Sequence, residues 1–169
     1  MKRSVTTTLS LTDIFDNLNT AQLELVASIC APVSLRRQEI LFHENEGSDD
    51  LYVIVKGEVE VLVNPGVITA SPQREPVVLT TLQPGQVFGE VALVDQGLRT
   101  ATARASKDRT ELLRISRERM MLLCDTYPEL GYKIMRNLAS DLALKIRNTD
   151  LTFRQYQLLL SGRAGSPAG

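Results

Sequence analysis

The residue types best able to do chemistry lie in residues 85–103, which read Gly-Gln-Val-Phe-Gly-Glu-Val-Ala-Leu-Val-Asp-Gln-Gly-Leu-Arg-Thr-Ala-Thr-Ala. An apolar strand ends at Phe88, and Gly89 lets the backbone turn tightly or approach another group closely. Glu90 to Val94 can then form one helical turn. The first amide groups of such a turn have no internal partner and favour an anion. Asp95-Gln96-Gly97 breaks the turn, and Arg99 follows. Arg99 shares parity with Ala101, Ala103 and Ala105 of the next strand. If the alanine face points inward, so does the arginine. A buried guanidinium needs an anion, and small alanines leave room beside it. The chemistry implied is phosphate binding.

Elements of two kinds must position this segment. Residues 32–116 read as short β-strands. Apolar runs at Val33 to Leu35, Glu39 to Phe42 and Leu51 to Val55 precede Gly57, with an Asn45 to Asp49 turn among them. The next strand alternates, with Val59, Val61 and Val63 on one face and Glu58, Glu60 and Leu62 on the other. A polar loop spans 64–76, the strand pattern resumes at Val77 to Leu82, and alternation returns at Thr100 to Ala105 and Glu111 to Ile115. Such spacing predicts a sandwich, jelly roll or barrel. Helices flank it. Residues 10–30 have helical periodicity, with Ser10 or Thr12 as cap and a second start at Asn19-Thr20. Ser116 caps a helix from Arg117 to Cys124, and Pro128-Glu129 opens a longer one. Its seam is Met135, Leu138, Leu142, Ile146, Thr149, Phe153, Tyr156 and Leu160, supported by Asp141–Lys145 and Asp150–Arg154 pairs. The expected organisation is an N-terminal arm at 1–9, a domain at 10–147, a helical extension at 148–160 and a disordered tail at 161–169. Within the domain the roll spans about 32–116 and its following helices about 117–147.

Composition narrows the function classes. The 169 residues carry 19 basic and 20 acidic side chains, a net charge of −1, which gives no global pull toward nucleic acid or membrane. Cys30 and Cys124 read as reduced, buried thiols rather than a disulfide framework. No stretch approaches the about 18 apolar residues of a membrane span, and a cytoplasmic location is expected. His43 is the only histidine, so neither a histidine-rich metal site nor a zinc protease motif is available. No catalytic residue, metal or cofactor is expected, and the chain reads as no enzyme. A cupin-type jelly-roll enzyme would need two or three clustered histidines.

The segment Phe88-Gly89-Glu90-Val91-Ala92-Leu93, followed by Arg99-Thr100-Ala101, resembles the phosphate-binding cassette of cyclic-nucleotide-binding domains. That family includes bacterial catabolite activators, kinase regulatory subunits and cyclic-nucleotide-gated channels. The resemblance covers roughly residues 10–147. It implies a mainly β fold with helices: an eight-stranded β-roll (jelly roll) between N-terminal helices and a long C-terminal helix. It implies a non-enzymatic sensor of cAMP, cGMP or both, coupled to movement of its C-terminal helices. Arg99 would pair with the cyclic phosphate and Glu90 would accept from the ribose 2′-hydroxyl. Backbone amides near Gly89 and Ala92, and that of Thr100, would complete the shell, with Phe88, Val91 and Ala101 beside it. Val61 and Leu79 are candidates for the base wall, and Leu142, Lys145 and Ile146 for a lid. Thr100 suits both nucleotides, because a hydroxyl after the arginine can meet the amino group of a syn guanine. A homodimer through the long helix is expected, as in the catabolite activators. No DNA-binding module is read in this chain, and an unidentified protein effector would receive the signal. Two alternatives share the fold: an interaction module without ligand, and a regulatory fragment of a larger protein. Gln38 stands where many relatives have glycine, a difference expected to alter one turn and not the pocket.

Overall fold

The computed structural model describes the backbone of residues 2–47, 49–64, 75–95 and 97–164, and the same side chains except 2–4, 156 and 159–164. Helices α1 (Lys2–Ser10) and α2 (Thr20–Ile29) flank a 3-10 turn at Asp13–Phe15. Eight strands follow: β1 (Ala31–Leu35), β2 (Ile40–Phe42), β3 (Asp50–Lys56), β4 (Val59–Val63), β5 (Val77–Leu82), β6 (Val87–Phe88), β7 (Thr102–Ala105) and β8 (Thr110–Ser116). A second 3-10 turn, Glu90–Leu93, lies between β6 and β7. Helices α3 (Arg117–Thr126) and α4 (Pro128–Ala164) end the order. The strands pair antiparallel in two four-stranded sheets, β1-β8-β3-β6 and β2-β7-β4-β5. Mainly β with flanking helices is therefore the observed class, and the roll spans the expected residues.

The first sheet is buried on both faces, which is why β3 reads as an unbroken apolar run. Tyr52 and Ile54 point into the roll with Val59, Phe88, Ala103, Ala105 and Leu112. Leu51 and Val53 point out, against helical Leu9, Val26, Met120, Ile134 and Leu138. Leu112 on β8 faces the roll while Leu113 and Ile115 face the helices. Helix α4 inserts Leu130, Ile134 and Leu138, all at or below 1% exposure. The Asn137 amide donates to the carbonyls of Ile14 and Asp16, tying the helix to the first 3-10 turn.

Several local expectations need correction. Residues 2–10 form a helix rather than an arm. The run Ser4 to Ser10 is rich in β-branched threonine, a weak helix former. It folds because Leu9, fully buried, and Val5 pack against the helical core. Ser10 and Thr12 do not cap: their hydroxyls donate back to the carbonyls of Thr7 and Thr8. Asn19 is the working cap, accepting from the Gln22 amide while Gln22 returns the bond. Alternation in β4 holds against β7, with Val59 opposite Ala105 and Val61 opposite Ala103 on the inner face and Glu60 opposite Arg104 on the outer one; Leu62 is also buried, and the register shift opposite Val61 and Leu62 lies in β5, which skips Leu79. Gln38 takes φ 67, the left-handed conformation a glycine would supply. Ser116 caps α3 as expected, accepting from the Arg119 amide.

The long helix is one element through Asn148, and its backbone runs on to Ala164, past the expected end at 160. The loop at 64–76 lies outside the described residues except for its ends, as do residues 165–169 of the expected tail. No helix among the described residues is long and apolar enough to cross a membrane.

Candidate functional site

Gly89 turns the chain out of β6 with φ 72, and a Cβ there would meet Arg99 Nη1 at 2.6 Å and the Asp50 carbonyl at 3.0 Å. Only a glycine permits both the turn and the approach. The 3-10 turn that follows is short, and one of its amides is already used: Ala92 N–H donates to the Gly89 carbonyl at 3.2 Å. The expected Ala92 amide is therefore occupied in this state.

Arg99 is 7% exposed and held by both backbone groups. Its N–H donates to the Glu46 carbonyl, and its carbonyl accepts from Asn45, each at 2.8 Å. The turn at Asn45 thus fixes where the arginine leaves the strand. Its Nη2 donates to the Asp50 carbonyl at 2.7 Å, and its Cζ lies 4.1 Å from the Phe42 ring centroid. Burial lowers its pKa from the ordinary arginine value, partly offset by Tyr52, Asp50, Asp49 and Glu90. A guanidinium so placed remains a cation at neutral pH.

A cavity of about 180 Å³ lies beside this cation. Of the residues expected from sequence, Phe88, Gly89, Glu90, Val91, Ala92, Arg99, Thr100, Ala101 and Val61 line it. Phe42, Asp95 and Leu98 also line it and were missed by sequence reasoning. Ala103, 1% exposed, supplies the small inner face that parity foretold.

The remaining candidates do not line this cavity. Leu79 on the edge strand β5 is 60% exposed, and Ile146 is 63% exposed. Leu142 packs partly buried against the helical core. Lys145 reaches the site from behind. Its Nζ donates to Glu90 Oε1 at 2.7 Å and pairs with Asp141 Oδ2 at 2.9 Å. Glu90 has only 8% of its side chain exposed and Lys145 has 46%. Burial alone would lower the Lys145 pKa, but bonds to Glu90 and Asp141 outweigh it and raise the value above the ordinary lysine level. Lys145 is therefore a cation at neutral pH, and the charge it contributes to the link is lost as pH rises through that raised value. Glu90 thus stands in the wall between the cavity and α4. A second tie joins the cassette to the helices, since Arg117 Nε on α3 donates to the Leu93 carbonyl at 3.1 Å.

Both cysteines are free thiols. Cys124 is buried, and Cys30 is half-buried with its thiol pushed up to about 12 by burial. His43 is an exposed residue at the end of β2. No group of three metal-ligating side chains occurs among the described residues.

Comparison with known proteins agrees with this geometry. The Cyclic AMP receptor protein of Thermus thermophilus is 30% identical over 138 residues, covering 82% of this chain and 59% of that protein. Cyclic GMP-binding protein C of Dictyostelium discoideum is 29% identical over 125 residues, covering 74% of this chain and 5% of that protein. This chain therefore spans well under two thirds of either relative. A cyclic nucleotide-binding domain from Methylobacillus flagellatus shares the fold over 99% of this chain and 86% of that one, with TM-score 0.73 and 21% identity. Residues 32–127 match the sequence profile described as "Cyclic nucleotide-binding domain". With the inward arginine, the glycine-turned 3-10 cassette and the two-sheet roll in place, the chain belongs to the cyclic nucleotide-binding domain family.

Proposed function

We propose that this chain is a non-enzymatic sensor whose cavity takes cAMP or cGMP and reports occupancy through α4. The observation that carries this reading is the position of Glu90, lining the cavity on one side and bonded to Lys145 of α4 on the other. Arg99 supplies the cation for a cyclic phosphate. Glu90 offers a carboxylate to the ribose 2′-hydroxyl. Any hydroxyl that bonds to Glu90 changes the electrostatic partner of Lys145. Site and helix then share one free energy, typically ~1–3 kcal/mol. The names of the relatives, one a cyclic AMP receptor and one a cyclic GMP-binding protein, support a nucleotide of this class. Calorimetric titration of the full chain with cAMP and cGMP tests the reading. Heat-silent titrations with both, checked by a displacement assay, would leave an interaction module of the same fold.

Lys145→Ala should separate binding from response. In the wild type, saturating ligand is expected to change amide exchange at residues 141–147. In the variant that change should fall by at least half, while affinity falls less than about tenfold, because a half-exposed pair is weak. An undiminished exchange response would show that the helix senses ligand by another route.

Thr100 lines the cavity, and a threonine there is compatible with either base. Neither Lys145 nor Ile146 covers the cavity, so α4 adds no base selection. Competition titrations are expected to show less than about tenfold preference, a gap of ~1.4 kcal/mol. A hundredfold preference in either direction contradicts the assignment of the base wall.

The exposed face of α4 supports a homodimer. Beyond Leu142 the helix leaves the core, and Leu144, Ile146, Leu151, Phe153 and Leu158 are 57–71% exposed. At 1.5 Å per residue its 37 residues span about 55 Å. Leu144, Leu151 and Leu158 repeat every seven residues on one face and Ile146 and Phe153 on the opposite one, and a solvated apolar stripe of this kind is stabilised by a second helix. Sedimentation should show a dimer for the full chain and a monomer for a chain ending at Arg147. A monomeric full chain at tens of micromolar, with and without ligand, rules the dimer out.

A further inference from the structure

Strand β2 contains a register shift with a consequence for the arginine. Ile40 opposes Arg104 of β7, whereas Phe42 opposes Ala103. Residues opposed across an antiparallel pair point to the same face. Arg104 faces outward, paired with Glu60 at 2.8 Å, and Ile40 is 42% exposed beside it. Ala103 faces the interior of the roll. In a regular strand Ile40 and Phe42 would share a face. The inserted residue reverses that parity, so Leu41 and Phe42 both pack against the interior cluster. Bulges next to binding sites re-aim side chains in this way.

The re-aimed Phe42 meets Arg99. The guanidinium carbon lies 4.1 Å above the Phe42 ring centroid and 5.9 Å from that of Tyr52. Phe42 is itself fixed by aromatic neighbours, with ring centroids 5.9 Å from Tyr52 and 6.2 Å from Phe88. A ring face under a guanidinium attracts the cation without using any N–H donor. The donors project from the edge of the plane. The Asp50 carbonyl takes Nη2, and Gly89, lacking a Cβ, leaves room for Nη1. The cation is thus held in one plane before any anion arrives.

We infer that Phe42 is a positioning residue for the anion site: the β2 bulge lays its ring under Arg99 and presets the guanidinium plane for a phosphate in the cavity. This rests on the sensor reading given above. Presetting lowers the ordering cost of binding, so its loss reduces affinity with no change in net charge.

The test uses the full chain and two independent readouts. In the ligand-free protein, the Arg99 side-chain Nε–Hε resonance, assigned by its loss in Arg99→Lys, should be displaced upfield by the Phe42 ring current. Phe42→Leu should return it to the ordinary arginine range, and Phe42→Tyr should leave it displaced. In calorimetric titration, Phe42→Leu should weaken cAMP and cGMP binding about 3- to 30-fold, the range of one partly desolvated cation–π contact. Phe42→Tyr, which keeps a ring face, should stay within about twofold of wild type on the same scale. An undisplaced resonance in the wild type overturns the inference. So does Phe42→Leu binding as tightly as wild type, or Phe42→Tyr binding as weakly as Phe42→Leu. If the wild type binds neither nucleotide while the resonance is displaced, the sensor reading fails and the ring–guanidinium geometry stands by itself.

Discussion

Arg99→Ala is expected to lose about 2–5 kcal/mol of ligand binding, or roughly 30- to several-thousand-fold in affinity. The size follows from the setting. Arg99 is 7% exposed, so water screens it little, and it lies against a cavity that Glu90 and Asp95 also line. A bound phosphate would be the anion for which the site is arranged. The fold should survive, because Phe42, Tyr52 and Phe88 still pack on one another and the backbone bonds of residue 99 to Glu46 and Asn45 remain. Glu90→Ala should cost less, about 1.5–3 kcal/mol for one charge-assisted hydrogen bond. Titration calorimetry beside a circular dichroism melt separates the two effects. Binding by Arg99→Ala within threefold of wild type would remove the arginine from the site.

Gly57→Ala should destabilise the whole domain by roughly 2–5 kcal/mol. Two costs combine. Residue 57 connects β3 to β4 at φ 85, where a side chain adds about 1–3 kcal/mol of backbone strain. Its new Cβ would also meet Thr110, with the Oγ1 atom nearest, the Cα at 2.7 Å and the Cβ at 2.9 Å. Thr110 cannot retreat. It is fully buried, and its hydroxyl donates to the Lys107 carbonyl at 2.8 Å. Overpacking of this kind adds about 1–3 kcal/mol. Urea denaturation followed by intrinsic tyrosine fluorescence measures the loss. A midpoint equal to that of the wild type would mean that the β3–β4 turn relaxes without resistance. Because the glycine lies on the turn that carries the chain from β3 in one sheet to β4 in the other, away from the cassette, the folded fraction should keep wild-type ligand affinity.

The sequence made the roll and its cassette legible because both depend on local signals. Gly89, Glu90 and Arg99 carry their conformations and charges with them, and the alanines at 101, 103 and 105 announce a roomy inner face by parity. Helices α2 to α4 were legible from caps and periodicity. What escaped depends on contacts distant in sequence. Helix α1 is held by tertiary burial of Leu9 against a weak local preference. Phe42 escaped because a three-residue strand is too short to show that its parity has slipped. Lys145 was picked out as a candidate, but its partner was not. Glu90 lies 55 residues away, and no spacing rule pairs a cassette carboxylate with an amine on a later helix. Leu79 was placed by parity, and the register shift in β5 makes it the extra residue between Val78 and Thr80; Ile146 was taken for a lid, and it is 63% exposed on the helix.

The first sheet, buried on both faces, makes one wall serve two interiors. Tyr52 and Leu112 belong to the ligand-side cluster, and their sequence neighbours Leu51, Val53 and Leu113 belong to the helix-side cluster. Roll and helices are consequently expected to melt as one unit, since exposing either face strips the same strands. Breathing motions short of global unfolding are confined to what lies off this wall: the edge strand β5, with Val77 to Leu79 in water, and the turns of α4 beyond Leu142.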